Sequence, residues 1–162
     1  MRWAMVAVVW MFLAAPAAAA GLDALDGMVG HCWQGELKDA GSIDTHCWRS
    51  ALDGQYVVDA HVVRGKTPDY SGDTYFRWNK DKGVIEFWYF NSLGEVSKGT
   101  ATPVEGGLDF PEERYEGEDG TRVFRSRLRW HDAAHYRMVT EEQTAEGWRE
   151  FMAVDFSRVP AQ

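Results

Sequence analysis

Hydrophobic and polar residues alternate with a period of two along most of this chain, and turn-forming residues interrupt the alternation about every ten positions. This alternation is typical of half-buried β-strands, because successive side chains on a strand point to opposite faces. The pattern predicts ten strands: His31–Leu37, Thr45–Leu52, Gln55–Val63, Asp73–Asn79, Val84–Phe90, Val96–Val104, Leu108–Tyr115, Thr121–His131, His135–Gln143 and Gly147–Arg158. A longer loop, Arg64–Gly72, follows the third strand. Only Leu22, Leu25, Met28 and Val29 recur at helical spacing, and they predict one short helix or turn ending at Gly30.

These elements define an all-β fold in a single domain, residues 21–162. A sheet of many short antiparallel strands has exposed edges unless it closes on itself. We therefore expect an antiparallel up-and-down β-barrel of about ten strands, with a sandwich as the competing topology. A barrel of this size can hold one small ligand.

The alternation also assigns side chains to the inner face of the barrel. In the eighth strand, Phe124, Ser126 and Leu128 share one face, whereas Arg125 and Arg127 share the other. The predicted ligand-binding residues are Trp48, Tyr75, Phe87, Tyr89, Phe124, Ser126, Leu128, Tyr136, Met138 and Met152, with Trp78 as a further lining residue and Glu150 as a polar interior residue. The face of Trp78 and of Phe87 is ambiguous. The alternative is an interior filled by these same aromatic side chains, without a cavity.

Two histidines on adjacent predicted strands are the most interesting polar residues. Asp59 shares a strand face with His61. A polar cluster would form if His46, His61 and Asp59 all pointed inward. Such a cluster could orient a ligand, accept a proton or bind a metal. The opposite face of that strand, which includes Val58, is more uniformly apolar. This favours Asp59 and His61 facing solvent.

The first twenty residues have the pattern of a secretory signal peptide. Arg2 supplies the positive charge, an uncharged apolar run follows, and Ala20 before Gly21 completes a small-residue cleavage site. The apolar run is short for a membrane anchor. We expect residues 1–20 to be removed and the domain to be periplasmic or secreted, with no integral membrane segment after cleavage.

The two cysteines, Cys32 and Cys47, both remain in the exported chain. A pair of cysteines in an exported protein is a candidate for one disulfide. If Trp33 and Trp48 point inward, both cysteines point outward on neighbouring strands. A cross-strand bridge on the outer wall is then expected.

Composition restricts the partners. The chain has 17 Lys+Arg against 25 Asp+Glu, for a net charge of −8, which argues against nucleic acid and anionic membranes as partners. One outer face carries Arg125, Arg127 and Arg129. Together with Arg137 and Arg149, these residues could form a basic stripe that binds an acidic protein partner. An acidic run, Glu112, Glu113, Glu116, Glu118 and Asp119, is interpreted as a solvated turn.

The start of the first strand carries a family resemblance. Gly30-His31-Cys32-Trp33 directly follows the short apolar helix, and Arg158 ends the last strand. This arrangement resembles the calycin superfamily of lipocalin-like and fatty-acid-binding-like barrels. The resemblance implies that Trp33 plugs the closed end of the barrel and that Arg158 covers it in a cation–π contact.

A second likeness starts at the same tryptophan. Trp33-Gln34-Gly35-Glu36 resembles the opening of nitrobindin-type haem-binding barrels, which take their axial histidine from near the C-terminus. The last histidine here is His135, on a strand whose inward residues are predicted to be Tyr136 and Met138. The chain also resembles small exported bacterial proteins of uncharacterised function.

The sequence therefore predicts an exported lipocalin-like barrel that binds a small hydrophobic or amphipathic molecule. Three alternatives remain open: a haem-binding barrel, a small enzyme using His46, His61 and Asp59, and an interaction protein with a filled barrel. No metal site is predicted, because His131 and His135 flank a turn rather than sharing a helix face. No resident cofactor is expected. Nucleotide-binding and nucleophile-elbow motifs do not occur in the sequence.

Overall fold

The computed structural model describes residues 21–37, 41–65 and 69–160, and their architecture is a closed antiparallel β-barrel. Each strand pairs with its sequence neighbours, and the last strand pairs with the first. The strands are β1 (Cys32–Leu37), β2 (Ser42–Ala51), β3 (Tyr56–Arg64), β4 (Tyr70–Asn79), β5 (Val84–Asn91), β6 (Val96–Val104), β7 (Gly107–Gly117), β8 (Gly120–Asp132), β9 (His135–Thr144) and β10 (Gly147–Val159). A 3-10 helix, Leu22–Leu25, precedes them.

The predicted fold class, an all-β up-and-down barrel of ten strands, is confirmed. A closed barrel of this kind is consistent with a calycin-like fold. Two strands begin three residues earlier than predicted. β2 begins at Ser42, where its pairing with β1 starts, and β4 begins at Tyr70 because Tyr70, Ser71 and Gly72 continue the pairing with β3. The predicted signal peptide, residues 1–20, lies outside the described residues.

Apolar residues close one end of the barrel. Leu25 and Met28, from the segment before β1, are buried in the same core cluster as Trp33. The Trp33 side chain is fully buried, and its ring centroid lies 5.5 Å from that of Trp130 and 5.1 Å from that of Tyr136. Trp33 is therefore buried among the apolar residues beside the N-terminal segment, and its role as a plug stays a prediction.

The cation–π contact predicted for Arg158 is not formed. Arg158 lies directly opposite Trp33 in the β1–β10 pairing, but its side chain is exposed. Its guanidinium donates to Nδ1 of His31 at 2.7 Å, because an imidazole nitrogen is a hydrogen-bond acceptor within reach at the barrel rim.

The predicted disulfide is confirmed. Cys32 and Cys47 lie directly opposite each other on β1 and β2 and are joined through their sulfur atoms. The bond closes a loop with a sequence separation of 15. It therefore ties the first strand to the strand that carries His46.

Replacing Cys32 and Cys47 together with alanine is expected to lower the free energy of unfolding by about 3 kcal/mol, because the unfolded chain regains the entropy of the open loop. The midpoint of thermal unfolding should fall by roughly 10 °C. Urea and thermal unfolding of the variant and of the oxidised wild type provide the measurement. Wild-type protein in dithiothreitol is the control and should match the variant, whereas equal midpoints for variant and oxidised wild type would contradict the prediction.

Bulges in β7 and β10 change which side chains face inward. The pairing of β7 with β8 shifts between Phe110 and Glu113, so that both residues face the interior. The pairing of β10 with β9 shifts between Glu150 and Met152. The prediction that Glu150 faces inward is wrong, because this bulge interrupts the alternation and leaves Glu150 exposed.

The arginines proposed as a basic stripe pair with carboxylates on neighbouring strands. Arg125 donates to Glu141 at 2.7 Å, and Arg127 lies 3.4 Å from the same carboxylate. The remaining pairs are Arg129 with Asp109, Arg137 with Asp155, and Arg149 with Glu142. Arg149 lies opposite Glu142, which in turn lies opposite Phe124, so the β10 bulge places this pair on the inner rather than the outer face. Exposed ion pairs of this kind stabilise a fold little.

No helix among the described residues has the length and apolar character needed to cross a membrane.

Candidate functional site

A cavity of about 180 Å³ lies inside the barrel. Most residues predicted to bind a ligand line it: Trp48, Phe87, Tyr89, Ser126, Leu128, Tyr136, Met138 and Met152. The three polar interior candidates His46, His61 and Asp59 line it as well. The cavity therefore has an extensive aromatic and aliphatic wall and one polar wall.

Three of the predicted lining residues lie elsewhere. Trp78 is partly buried and packs against the core cluster rather than on the cavity. Tyr75 faces the outside, where its ring packs edge-on against Phe90, because Thr74 and Phe76 occupy the inner face of β4. The prediction that Tyr75 lines the interior is therefore wrong. Phe124 is buried, but its ring packs against Tyr115 and against the bulged residue Phe151 rather than on the cavity.

The polar wall is built by β2 and β3. His46 lies directly opposite His61 in their pairing, and Trp48 lies opposite Asp59. Asp44 precedes His46 by two residues and therefore shares its face. The two imidazole rings are stacked, with centroids 4.8 Å apart.

The interpretation that Asp59 and His61 face solvent is wrong. Asp59 is only 6% exposed, and both residues line the cavity. Val58, on the outer face, is nevertheless fully buried, since Arg49 and Tyr75 flank it on the adjacent strands. An apolar and buried residue on β3 therefore does not mark the inner face of this strand.

Four hydrogen bonds connect the polar wall. His46 contacts Asp59 through Nδ1 at 2.7 Å and Asp44 through Nε2 at 3.0 Å. His61 contacts the other oxygen of Asp44 through Nδ1 at 3.0 Å. Its Nε2 lies 3.0 Å from the hydroxyl of Tyr89. Both nitrogens of each ring are therefore engaged, and Asp44 joins the two histidines.

Two carboxylates hold His46 in its protonated form. Burial alone would lower the pKa of His46, but Asp59 and Asp44 outweigh it and raise the pKa from 6.5 to about 10. Burial alone would raise the pKa of Asp44, but hydrogen bonds from His46 and His61 hold it well below its usual range. At neutral pH an imidazolium therefore lies between two carboxylates in the metal-free protein.

The polar wall continues onto β4 and β5. The Tyr89 hydroxyl contacts that of Tyr70, and Asn91 donates to the Tyr70 oxygen at 3.0 Å. A Cβ atom on Gly72 would lie 2.4 Å from Cε2 of Tyr89, so a glycine there lets the Tyr89 ring reach His61. Burial and the neighbouring Tyr70 raise the pKa of Tyr89 well above its usual value, so its hydroxyl stays protonated.

Sequence reasoning missed two acidic residues of the site. Asp44 is not among the predicted site residues, although its spacing of two residues from His46 places both on one face of the strand. Glu113 was assigned to a solvated turn, but it lines the cavity and accepts a hydrogen bond from Ser97. Burial raises the pKa of Glu113, and the Ser97 hydroxyl offsets this only in part.

The interior does not fit haem, the cofactor implied by the nitrobindin resemblance. A cavity of about 150 Å³ holds benzene, whereas a porphyrin is several times larger than this cavity of about 180 Å³ allows. His131 and His135, the histidines nearest the C-terminus, are exposed, and His135 contacts Asp132 at 2.8 Å.

The geometry does not favour His46 as the base of an enzyme. A protonated imidazole bonded to two carboxylates donates from both nitrogens and has no lone pair to accept a proton. The arrangement is better suited to holding charge in a fixed place beside a small cavity.

Comparison with known proteins adds no assignment for these residues. A scan against protein-family models finds no match to this chain, and a search of the curated proteins finds none either. The chemistry of the cavity and of its polar wall therefore carries the functional conclusion.

Proposed function

We propose that the protein is an exported lipocalin-like barrel that binds a small amphipathic molecule in its interior. The cavity of about 180 Å³ carries this proposal, because it combines an apolar wall with a few convergent polar groups. Its volume fits a molecule slightly larger than benzene, which occupies a cavity of about 150 Å³ in another protein. A single substituted ring is the size class that this interior accepts.

The apolar wall supports binding of a ring. The aromatic surface comes from Phe76, Phe87 and Phe110. The ring centroid of Phe87 lies 5.8 Å from that of Phe76 and 5.8 Å from that of Phe110. Leu128 and Met138 complete this wall. Transfer of apolar ligand surface from water stabilises the complex by about 25 cal/mol per Å².

The polar wall favours a ligand whose ring carries a hydroxyl group. Nε1 of Trp48 and Oδ1 of Asp59 are buried without a hydrogen-bond partner, and the two residues lie directly opposite each other. Each unpaired group costs about 1–3 kcal/mol. A hydroxyl can accept from the indole N–H and donate to the carboxylate oxygen, so it offsets both costs.

Two features support the proposal that this protein is exported. The first twenty residues have the composition of a signal peptide, and the disulfide between Cys32 and Cys47 is of the kind that persists in oxidising compartments. A periplasmic or secreted location is therefore part of the proposal.

Phenol and toluene test the proposal, because the two molecules have nearly the same size and only phenol carries a hydroxyl. We expect both to bind the wild-type protein and phenol to bind about tenfold more tightly, which corresponds to one net hydrogen bond of about 1.4 kcal/mol. Isothermal titration calorimetry measures both affinities.

Three variants sharpen this test. Leu128→Phe fills the cavity and should abolish binding of both molecules, whereas Leu93→Phe, at a position 67% exposed, should leave binding unchanged. Trp48→Phe removes the indole donor and should reduce the preference for phenol. If neither molecule binds the wild type, or if Leu128→Phe binds both as well as the wild type does, the proposal fails.

A further inference from the structure

Three side chains with metal-ligating atoms converge on the polar wall of the cavity. We propose that Asp44, His46 and His61 bind one divalent transition-metal ion of the Zn²⁺ class. Their ligand atoms all lie within 4.8 Å of one another. The proposal concerns the protein's own side chains and does not depend on an organic molecule occupying the cavity.

The distances within this cluster suit a shared ion. Zinc lies about 2.0–2.2 Å from nitrogen and oxygen ligands, so two ligands at right-angled or tetrahedral positions are about 3.0–3.4 Å apart. Nε2 of His46 and Nδ1 of His61 each lie 3.0 Å from an oxygen of Asp44. Asp44 is therefore already at ligand spacing from each ring, through a different oxygen for each. The separations within the cluster extend to 4.8 Å, so binding of one ion must draw the three side chains closer together.

Hydrogen bonds outside the cluster fix which nitrogen of each ring faces the ion. Nδ1 of His46 lies 2.7 Å from Asp59, and Nε2 of His61 lies 3.0 Å from the Tyr89 hydroxyl. Metal-ligating histidines commonly bond to a carboxylate through their second ring nitrogen, which orients the ring and raises its basicity. Asp59 has this positioning role for His46, which leaves Nε2 for the metal.

The charge of the polar wall also favours a cation. The side chains of Asp44 and Asp59 are only 7% and 8% exposed, and Oδ1 of Asp59 has no hydrogen-bond partner. Glu113 lines the same cavity, and among the described residues no lysine or arginine does. A divalent ion compensates the buried carboxylates and displaces the proton between His46 and Asp44.

The ligand set indicates the class of ion. Two imidazoles and one carboxylate suit zinc and its first-row neighbours rather than calcium or magnesium, which prefer oxygen ligands. Three protein ligands leave at least one position for water. Because all three residues line the cavity, that position faces the cavity and is open to a polar group on a bound molecule.

The test uses untagged full-length protein exported with its own leader, stripped of metal with EDTA and then freed of the chelator. Zn²⁺ binding is measured by calorimetry, and Co²⁺ binding by visible absorption, which reports on the ligands around the ion. We expect one ion per chain with a Kd below about 1 µM. Zn²⁺ should also raise the thermal unfolding midpoint.

Variants decide whether this cluster is the site. His61→Gln removes a ligand and should weaken Zn²⁺ binding by at least about 100-fold, whereas Asp59→Asn should weaken it about 10- to 100-fold and change the Co²⁺ spectrum. His131→Gln, on the surface, should bind like the wild type. Circular dichroism confirms that each variant is folded.

Two results would overturn the proposal: wild-type protein that binds neither ion at about 100 µM, or folded His61→Gln and Asp59→Asn variants that bind Zn²⁺ as tightly as the wild type. Phenol binding is measured on the same samples. Failure of the metal site and failure of the proposed ligand function are therefore distinguished.

Discussion

Replacing His46 with leucine is expected to destabilise the metal-free protein by about 3–5 kcal/mol at neutral pH. The substitution removes the cation between two buried carboxylates, and Asp59 loses the only hydrogen-bond partner found for its side chain in the described structure. Asp44 keeps its contact with His61. Urea unfolding in EDTA measures the effect. The control is His131→Leu, because the His131 side chain is 58% exposed and its removal should cost less than about 1 kcal/mol.

The dependence of stability on pH gives this prediction a second readout. Because Asp59 and Asp44 outweigh burial and raise the pKa of His46 from 6.5 to about 10, its stabilisation is complete below about pH 6.5 and is lost as the pH rises toward 10. The pKa of Asp44 is lowered, so its contribution is present above its usual value of 3.8 and is lost as the pH falls below it. The metal-free wild type should therefore be most stable between about pH 4 and 6.5.

The difference in stability between wild type and His46→Leu reports on His46 and on the two carboxylates that it contacts, since groups away from this cluster are common to both proteins. We expect the difference in unfolding free energy to shrink between about pH 7 and pH 10. A difference that stays constant over this range would show that His46 is not held protonated by the two carboxylates.

Replacing Trp33 with alanine is expected to cost about 3–5 kcal/mol, because it leaves a large cavity at the closed end of the barrel. Trp33 is 0% exposed and contacts the rings of Trp130 and Tyr136. Trp33→Phe should cost less, since it keeps an aromatic ring and removes an indole N–H that has no hydrogen-bond partner. Urea unfolding of the two variants measures both costs.

Trp148 provides the matched control for Trp33. Trp148 is 36% exposed, and the guanidinium of Arg125 lies 4.4 Å from its ring centroid. Trp148→Ala should cost about 1 kcal/mol. If Trp33→Ala and Trp148→Ala destabilise the protein equally, Trp33 is not the plug of the closed end.

The strands of this barrel could be predicted from the sequence because two local signals coincide. Alternation sets the extent of each strand, and turn residues set its ends, so β6 was predicted with the bounds that the structure shows, Val96–Val104. The disulfide followed from the same alternation, which placed Cys32 and Cys47 on the same side of adjacent strands. None of these inferences requires knowledge of distant contacts.

The inner face of β3 could not be predicted in this way. Val58 and Ala60 alternate with Val57 and Asp59, and the side that faces inward depends on pairing with β2. Because Trp48 faces the interior, the residue opposite it, Asp59, must face the interior too. A carboxylate is tolerated there because His46 compensates its charge, which is a tertiary interaction that no local pattern reports.

Bulges explain two further errors at the site. One extra residue in a strand reverses the face of every residue that follows, and alternation alone does not reveal it. Glu113 therefore lies inside the barrel, and Glu150 lies outside.

The pairing of β1 with β10 has a consequence for how the chain folds. Every other neighbouring pair of strands is consecutive in the sequence, whereas this seam joins Cys32 to Val159. Such distant contacts form slowly, because the intervening chain must be ordered before they stabilise it. Until the seam closes, the first and last strands offer unpaired edges to other chains. Aggregation during folding is therefore governed by these two strands, although both edges are hidden in the finished barrel.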